Sequence, residues 1–183
     1  MSNVKNAYPK LPIVEFVATS IKLEDAIEYI ASLMLNVEVK RSCYMIFRNE
    51  SGNGKYGVNN NYTGVQADGN KLGNGFDEKV VATTVKKENM KGKNMTQRVR
   101  RFVCFRSYKE SIDYLANRIQ ARGIYIGGST NSVYSKIEIK TPKDLANAYY
   151  KEWVKGDKFA TPSVIDYKGL ISLYISAVKD IKI

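Results

Sequence analysis

The chain predicts an α+β domain, mostly α, with a small β-hairpin set between the helices. Three observations lead there: apolar runs of helical spacing toward both ends, two β-prone runs in the middle, and a Gly/Asn-rich segment dividing the first helices from the hairpin. At 183 residues the length is that of one domain. Its 44% apolar and 26% charged residues are ordinary for a folded protein and unlike a disordered chain. No apolar run approaches the ~18 residues that cross a bilayer, so no transmembrane segment is expected.

Residues 1–12 read as a flexible N-terminal arm, without the basic start, apolar run and small-residue cleavage site of a secretory signal. Residues 13–183 read as a single domain with a β-hairpin insertion at about 78–106. From Leu23 to Leu35 the spacing predicts a helix. Leu23, Ala26, Ile27, Ile30, Ala31 and Met34 share a face, and Glu24, Asp25 and Glu28 lie early, where the helix dipole favours anions. A second helix covers Val37 to Phe47 and ends just past Glu50, stopped by Gly52 and Gly54. Residues 52–75 are rich in Gly and Asn yet keep Tyr56 and Tyr62, the mark of a functional loop rather than a plain linker.

Val80–Val85 and Thr96–Phe105 then form an antiparallel pair with a long basic tip. Ser107 and Glu110 have capping-box spacing and open a helix to about Gln120, which Gly123 can stop. Thr141-Pro142-Lys143-Asp144 opens another over Leu145–Val154. Ser163 and Asp166 repeat the start signal before the amphipathic run Tyr167–Val178.

The sequence contains no histidine, which excludes Ser-His-Asp triads, Cys-His dyads and histidine metal sites. Acid–base chemistry is left to Asp, Glu, Lys or Tyr. Cys43 and Cys104 are too few for a structural zinc site, so neither a metal nor a cofactor is expected. Both read as buried free thiols among apolar neighbours, a mutual disulfide being the alternative. The net charge of +11 asks for a polyanionic partner: nucleic acid, an anionic membrane or a bacterial wall polymer. Nine basic residues and one acid, Glu88, lie between Lys79 and Arg106, so this segment contributes +8 of that charge.

Glu50 stands at the end of an apolar helix and the mouth of the Gly/Asn loop. A carboxyl between apolar walls has its pKa raised and can donate a proton near neutral pH, although an acid at a helix end is more often simply solvated. The string Glu50-Ser51-Gly52-Asn53-Gly54-Lys55, followed by Asn60-Asn61-Tyr62-Thr63-Gly64-Val65-Gln66-Ala67, resembles the glucosaminidase family of peptidoglycan hydrolases. Phe105-Arg106-Ser107-Tyr108 with Glu110-Ser111-Ile112-Asp113-Tyr114, and Phe159-Ala160-Thr161 with Tyr167 and Leu170, match that family's later segments in the same order. The likeness spans roughly residues 40 to 180.

The resemblance implies a lysozyme-like helical domain whose β-hairpin lobe borders an active-site cleft. It implies cleavage of the β-1,4 bonds of wall glycan strands, with Glu50 as general acid. Tyr62, Gly64, Gln66, Asp68 and Asn61 then line the cleft, Tyr62 as a sugar-stacking or floor residue. Tyr114 and Tyr125 are candidates for the tyrosine that assists beside the scissile bond, Tyr114 having a core position as its alternative. Trp153, with Leu145, Ala146 and Tyr149 at helical spacing, reads as core.

This chain departs from the family at three places. Asn53 replaces an aromatic, Pro162 replaces an acid, and Val85 stands where the second carboxylate is expected in Ala82-Thr83-Thr84-Val85. Hydrolysis usually needs that second acid as base or nucleophile. Glu78, then Glu88, are the nearest candidates. Two other functions remain open: a wall-binding or structural module that has lost its second acid, and a basic nucleic-acid binder. The family match favours wall glycan over nucleic acid as the partner. Action on the wall without a leader implies release by lysis, carriage in a virion or a dedicated exporter, with the segment before residue 40 as a possible docking element.

Overall fold

The computed structural model describes residues 6–73, 75–89, 97–122, 124–126, 133–135, 144, 147, 150–151 and 164–182. Its centre is a helix whose middle is buried on all sides. From Ser42 to Phe47 every residue is buried, which no amphipathic surface helix achieves. This helix, α2 (Val37–Ser51), packs against α1 (Leu23–Ser32), α3 (Tyr108–Arg122) and α4 (Val164–Asp180). Ile30 from α1, Ile112 and Leu115 from α3, and Leu170, Tyr174 and Ala177 from α4 enclose it.

The helix boundaries follow local chemistry. α1 stops at Ser32, short of the expected Leu35, because Leu33 turns to extended backbone and Asn36 caps the next helix, its side chain accepting from Glu38 N at 2.8 Å. Gly52, left-handed at φ +56°, closes α2 one residue past Glu50. Before α3, Glu110 N donates to Ser107 Oγ at 3.5 Å, and the Glu110 carboxylate reaches back to Arg106 N at 3.0 Å. α4 begins at Val164, three residues before the expected start. The helix expected over 145–154 lies largely outside the described residues, as does Trp153; Tyr150, within it, is buried in the core.

The β part is larger than the sequence suggests. Five short strands were not expected: β1 (Ile13–Val14), β2 (Ala18–Thr19), β3 (Gly57–Val58), β6 (Ile124–Ile126) and β7 (Val133–Ser135). The expected hairpin is β4 (Val80–Asn89) with β5 (Gln97–Phe105), antiparallel, with Thr83 opposite Val103. β1 joins its edge in parallel, Ile13 beside Thr83. β2 pairs with β3, and β6 with β7.

The segment read as a flexible arm is packed from Asn6 onward, a correction with a clear cause. Ala7 and Tyr8 fill a second apolar cluster with Ala67, Val80, Val103, Phe105 and Tyr114. Tyr8 Oη donates to Asp77 at 2.5 Å and accepts from Leu72 N at 2.7 Å. Ala7 N bonds Ala67 O at one flank of the sheet, while Thr83 N bonds Pro12 O at the other, so the segment straps across it. Among the described residues, no helix is long and apolar enough to cross a membrane.

Candidate functional site

The buried helix α2 delivers Glu50 to its C-terminal turn. Ser51 anchors that turn: its hydroxyl donates to Phe47 O at 2.6 Å and accepts from Gly54 N at 2.8 Å. Gly54 is required on two counts. Its φ is +85°, and a Cβ there would lie 2.6 Å from the Ile21 carbonyl oxygen. That close approach lets Ile21 N donate to Gly54 O at 2.9 Å and ties the turn to the segment before α1.

Three consecutive asparagines then staple the loop to three different segments. Asn59 accepts from Val17 N and donates to Glu15 O, both at 3.1 Å. Asn60 donates to the carbonyls of Phe105 and Arg106 at the β5–α3 corner. Asn61 donates to Val65 O and Val103 O and accepts from Val65 N, which holds residues 65–68 alongside β5. Asn59 and Asn60 have positive φ, a conformation asparagine tolerates better than most residues, so an Asn run suits this loop.

Glu50 is exposed, so the apolar residues preceding it in α2 face the core and do not wall it in. Tyr62 is fully buried, packed on Phe47 with centroids 5.9 Å apart, and is therefore closed to sugar stacking. Its hydroxyl has no hydrogen-bond partner among the described residues. Asn61 is a loop staple, and its amide is already committed. Gly64 is exposed, with open space where a Cβ would be. Gln66 is half-buried and bridges to Phe102, and Asp68 accepts from Arg101 N at 3.0 Å.

Tyr114 takes the core position. It lies in the second cluster, 5.3 Å from Phe76 and 6.2 Å from Phe105, and its hydroxyl accepts from Arg118 at 2.6 Å. Glu78 is exposed in a single 3-10 turn, Asp77–Lys79, leading into β4. Arg106 donates to its backbone carbonyl at 3.2 Å, which ties this turn to the β5–α3 corner. Glu88 is opposite Arg98 on β4, and Tyr125 opposite Tyr134 on β6; the side chains of Glu88 and Tyr125 lie outside the described residues. Val85 is half-buried in β4 opposite Arg101.

Cys43 and Cys104 are both free and buried, and burial raises both thiols, Cys104 to about 11. Among the described residues no cluster of three or more acids or cysteines is arranged to hold a metal ion.

Sequence reasoning missed a line of polar side chains leading to the Glu50 turn. Tyr44 Oη donates to Asp180 at the end of α4, 2.5 Å, and accepts from Arg48 Nη1 at 2.6 Å. Arg48 Nε donates to Asn53 Oδ1 at 2.6 Å. The i, i+4 spacing of Tyr44 and Arg48 was visible; Asp180, 136 positions from Tyr44, was not.

No family model matches the chain, and no curated protein matches it. Among solved structures it is similar to a peptidoglycan hydrolase mutant from Sphingomonas sp. A1. The TM-score is 0.40 at 15% identity, over 86% of this chain and 90% of that one.

Proposed function

We propose that this chain is a glycoside hydrolase of the bacterial cell wall, cleaving β-1,4 bonds of peptidoglycan strands with Glu50 as general acid. The observation that carries the proposal is the conformation of the Glu50–Lys55 string. It is a helix end closed by a left-handed glycine, with a tight turn held from beneath and the carboxylate residue exposed above it. A glycan seated there excludes water from the turn and brings its glycosidic oxygen to the Glu50 carboxyl. The charge supports the same substrate, since Lys86, Lys87, Arg100 and Arg101 give the β4–β5 hairpin a positive field suited to the carboxylates and phosphates of wall polymers.

In this mechanism Glu50 gives its proton to the glycosidic oxygen as the bond to the anomeric carbon breaks. A second carboxylate, Glu78 or Glu88, takes a proton from the attacking water or attacks directly. Gly64, Gln66 and Asp68 border the bound strand, and Tyr125 remains a candidate to assist. Tyr114 and Tyr62 support the lobe from inside. Action on the wall follows from the substrate. A docking role for residues before 40 is less favoured, because Ala7, Tyr8 and the backbone of 13–21 are already engaged within the fold.

Purified protein should clear a suspension of sacculi and release reducing sugar, and Glu50→Gln should abolish both while keeping the thermal midpoint. Clearing by that variant at the parental rate would sink the assignment. The valine at position 85 favours one second reading, a wall-binding module without catalysis. Such a module would sediment with sacculi and release no reducing ends.

A further inference from the structure

We propose that Tyr44, Arg48, Asn53 and Asp180 are positioning residues for Glu50, forming a polar relay that fixes its turn to the end of the last helix. The proposal rests on the role of Glu50 given above. The relay is continuous: Asp180 accepts from Tyr44, Tyr44 accepts from Arg48, and Arg48 donates onward to Asn53. The Arg48 guanidinium also lies over the Tyr44 ring, 5.2 Å from its centroid.

Arg48 grips the turn twice. Its backbone carbonyl accepts from Gly52 N and from Asn53 N, the latter at 2.9 Å, while its side chain holds the Asn53 amide. Glu50 lies inside this closed loop of chain, between residues 48 and 53. Gly52 and Asn53 are successive left-handed residues, at φ +56° and +62°. For the asparagine that conformation is strained and needs something to hold it. The Gly52 cap alone would end α2; the side-chain bond to Asn53 adds a second, directional constraint beyond what termination requires.

The end of α4 gives the relay a fixed base. The Asp180 carboxylate and the Arg48 cation assist the hydrogen bonds at either side of Tyr44. Burial and the Asp180 carboxylate push the Tyr44 hydroxyl up to about 12, so it remains a donor across the range in which a wall hydrolase works. Asn53 stands where the resembling family carries an aromatic. Here a hydrogen bond does the holding, and Arg48 is its donor.

The test uses soluble, uncrosslinked glycan strands and two variants that break the relay, Arg48→Met and Asn53→Leu. Each should lower kcat at least tenfold with KM changed less than about twofold, because the strand still binds while the acid is misplaced. Asn53→Asp keeps an acceptor for Arg48 and tolerates the left-handed turn, so it should recover most of what Asn53→Leu loses. Amide exchange at residues 52–57 should rise at least tenfold in Arg48→Met, whether or not the protein cleaves glycan. Unchanged exchange there, or parental kcat in Arg48→Met while Glu50→Gln is inactive, overturns the relay. A wild-type protein without glycan cleavage, but with the exchange effect present, overturns the role of Glu50 and the positioning claim that depends on it, and leaves the relay as architecture.

Discussion

At the scale of single residues, the loop after Glu50 separates glycines needed for space from those needed only for conformation. Gly54 has φ +85° and backbone 2.6 Å from where its Cβ would be; Gly64 has φ +66° and nothing near. Alanine at 64 therefore meets only the left-handed penalty, about 1 kcal/mol. Alanine at 54 adds a collision with the Ile21 carbonyl, which cannot swing away as a flexible side chain would, for a total of about 3–4 kcal/mol. Denaturant midpoints of Gly54→Ala and Gly64→Ala should differ in that order, and equal midpoints would contradict the close approach. The asparagines show how far one residue can be understood from sequence. The run at 59–61 announces a turn, but the partners of each amide lie about 40 positions away or more, except for the Val65 contacts of Asn61. Composition marked the loop, and tertiary contacts gave each asparagine its task.

At the scale of elements, the joint between α2 and α4 carries a titration. Tyr44 donates to Asp180, and Tyr174 on α4 donates to Glu38 on α2 at 2.8 Å. Both hydroxyls are pushed from 10.0 up to about 12, first by burial and then by the bonded carboxylate. A folded value above the unfolded one means the unfolded chain loses the proton first. The stabilisation is whole below about pH 10 and disappears as pH rises toward 12. Urea midpoints followed from pH 9 to 12 should fall more steeply in the parent than in Tyr44→Phe or Tyr174→Phe, by about 1–2 kcal/mol for each tyrosine. Identical slopes would mean that neither hydroxyl is held as described. Most of the helices in this joint were legible beforehand, since capping residues and apolar spacing are local signals: Gly52, Ser107 with Glu110, and the run from Tyr167 all fell at or near true boundaries. The two-residue strands were not, because two residues cannot display a period.

At the scale of the whole molecule, two cores meet at α3. Ile112 and Leu115 face the helical cluster, while Tyr114 faces the sheet cluster with Phe76 and Phe105. The N-terminal segment closes the second cluster, and Tyr8 is its main contribution. Tyr8→Ala should cost about 3–5 kcal/mol, read as a fall in the calorimetric midpoint, because it opens a cavity and strips Asp77 and Leu72 N of their partner. A change within the error of the scan would restore the picture of a loose arm. By itself the sequence determined the mostly helical α+β class, the hairpin, the charge it carries and the placement of Glu50 at a helix end. Each of these is set by neighbours within a few residues, by spacing, caps and local composition. Only the tertiary structure decided that Glu50 is exposed, that Tyr62 and Tyr114 are interior, that residues 6–14 strap the sheet, and that Asp180 meets Tyr44. Those outcomes depend on which distant segments close on one another, and the chain's local periodicity carries no record of its partners.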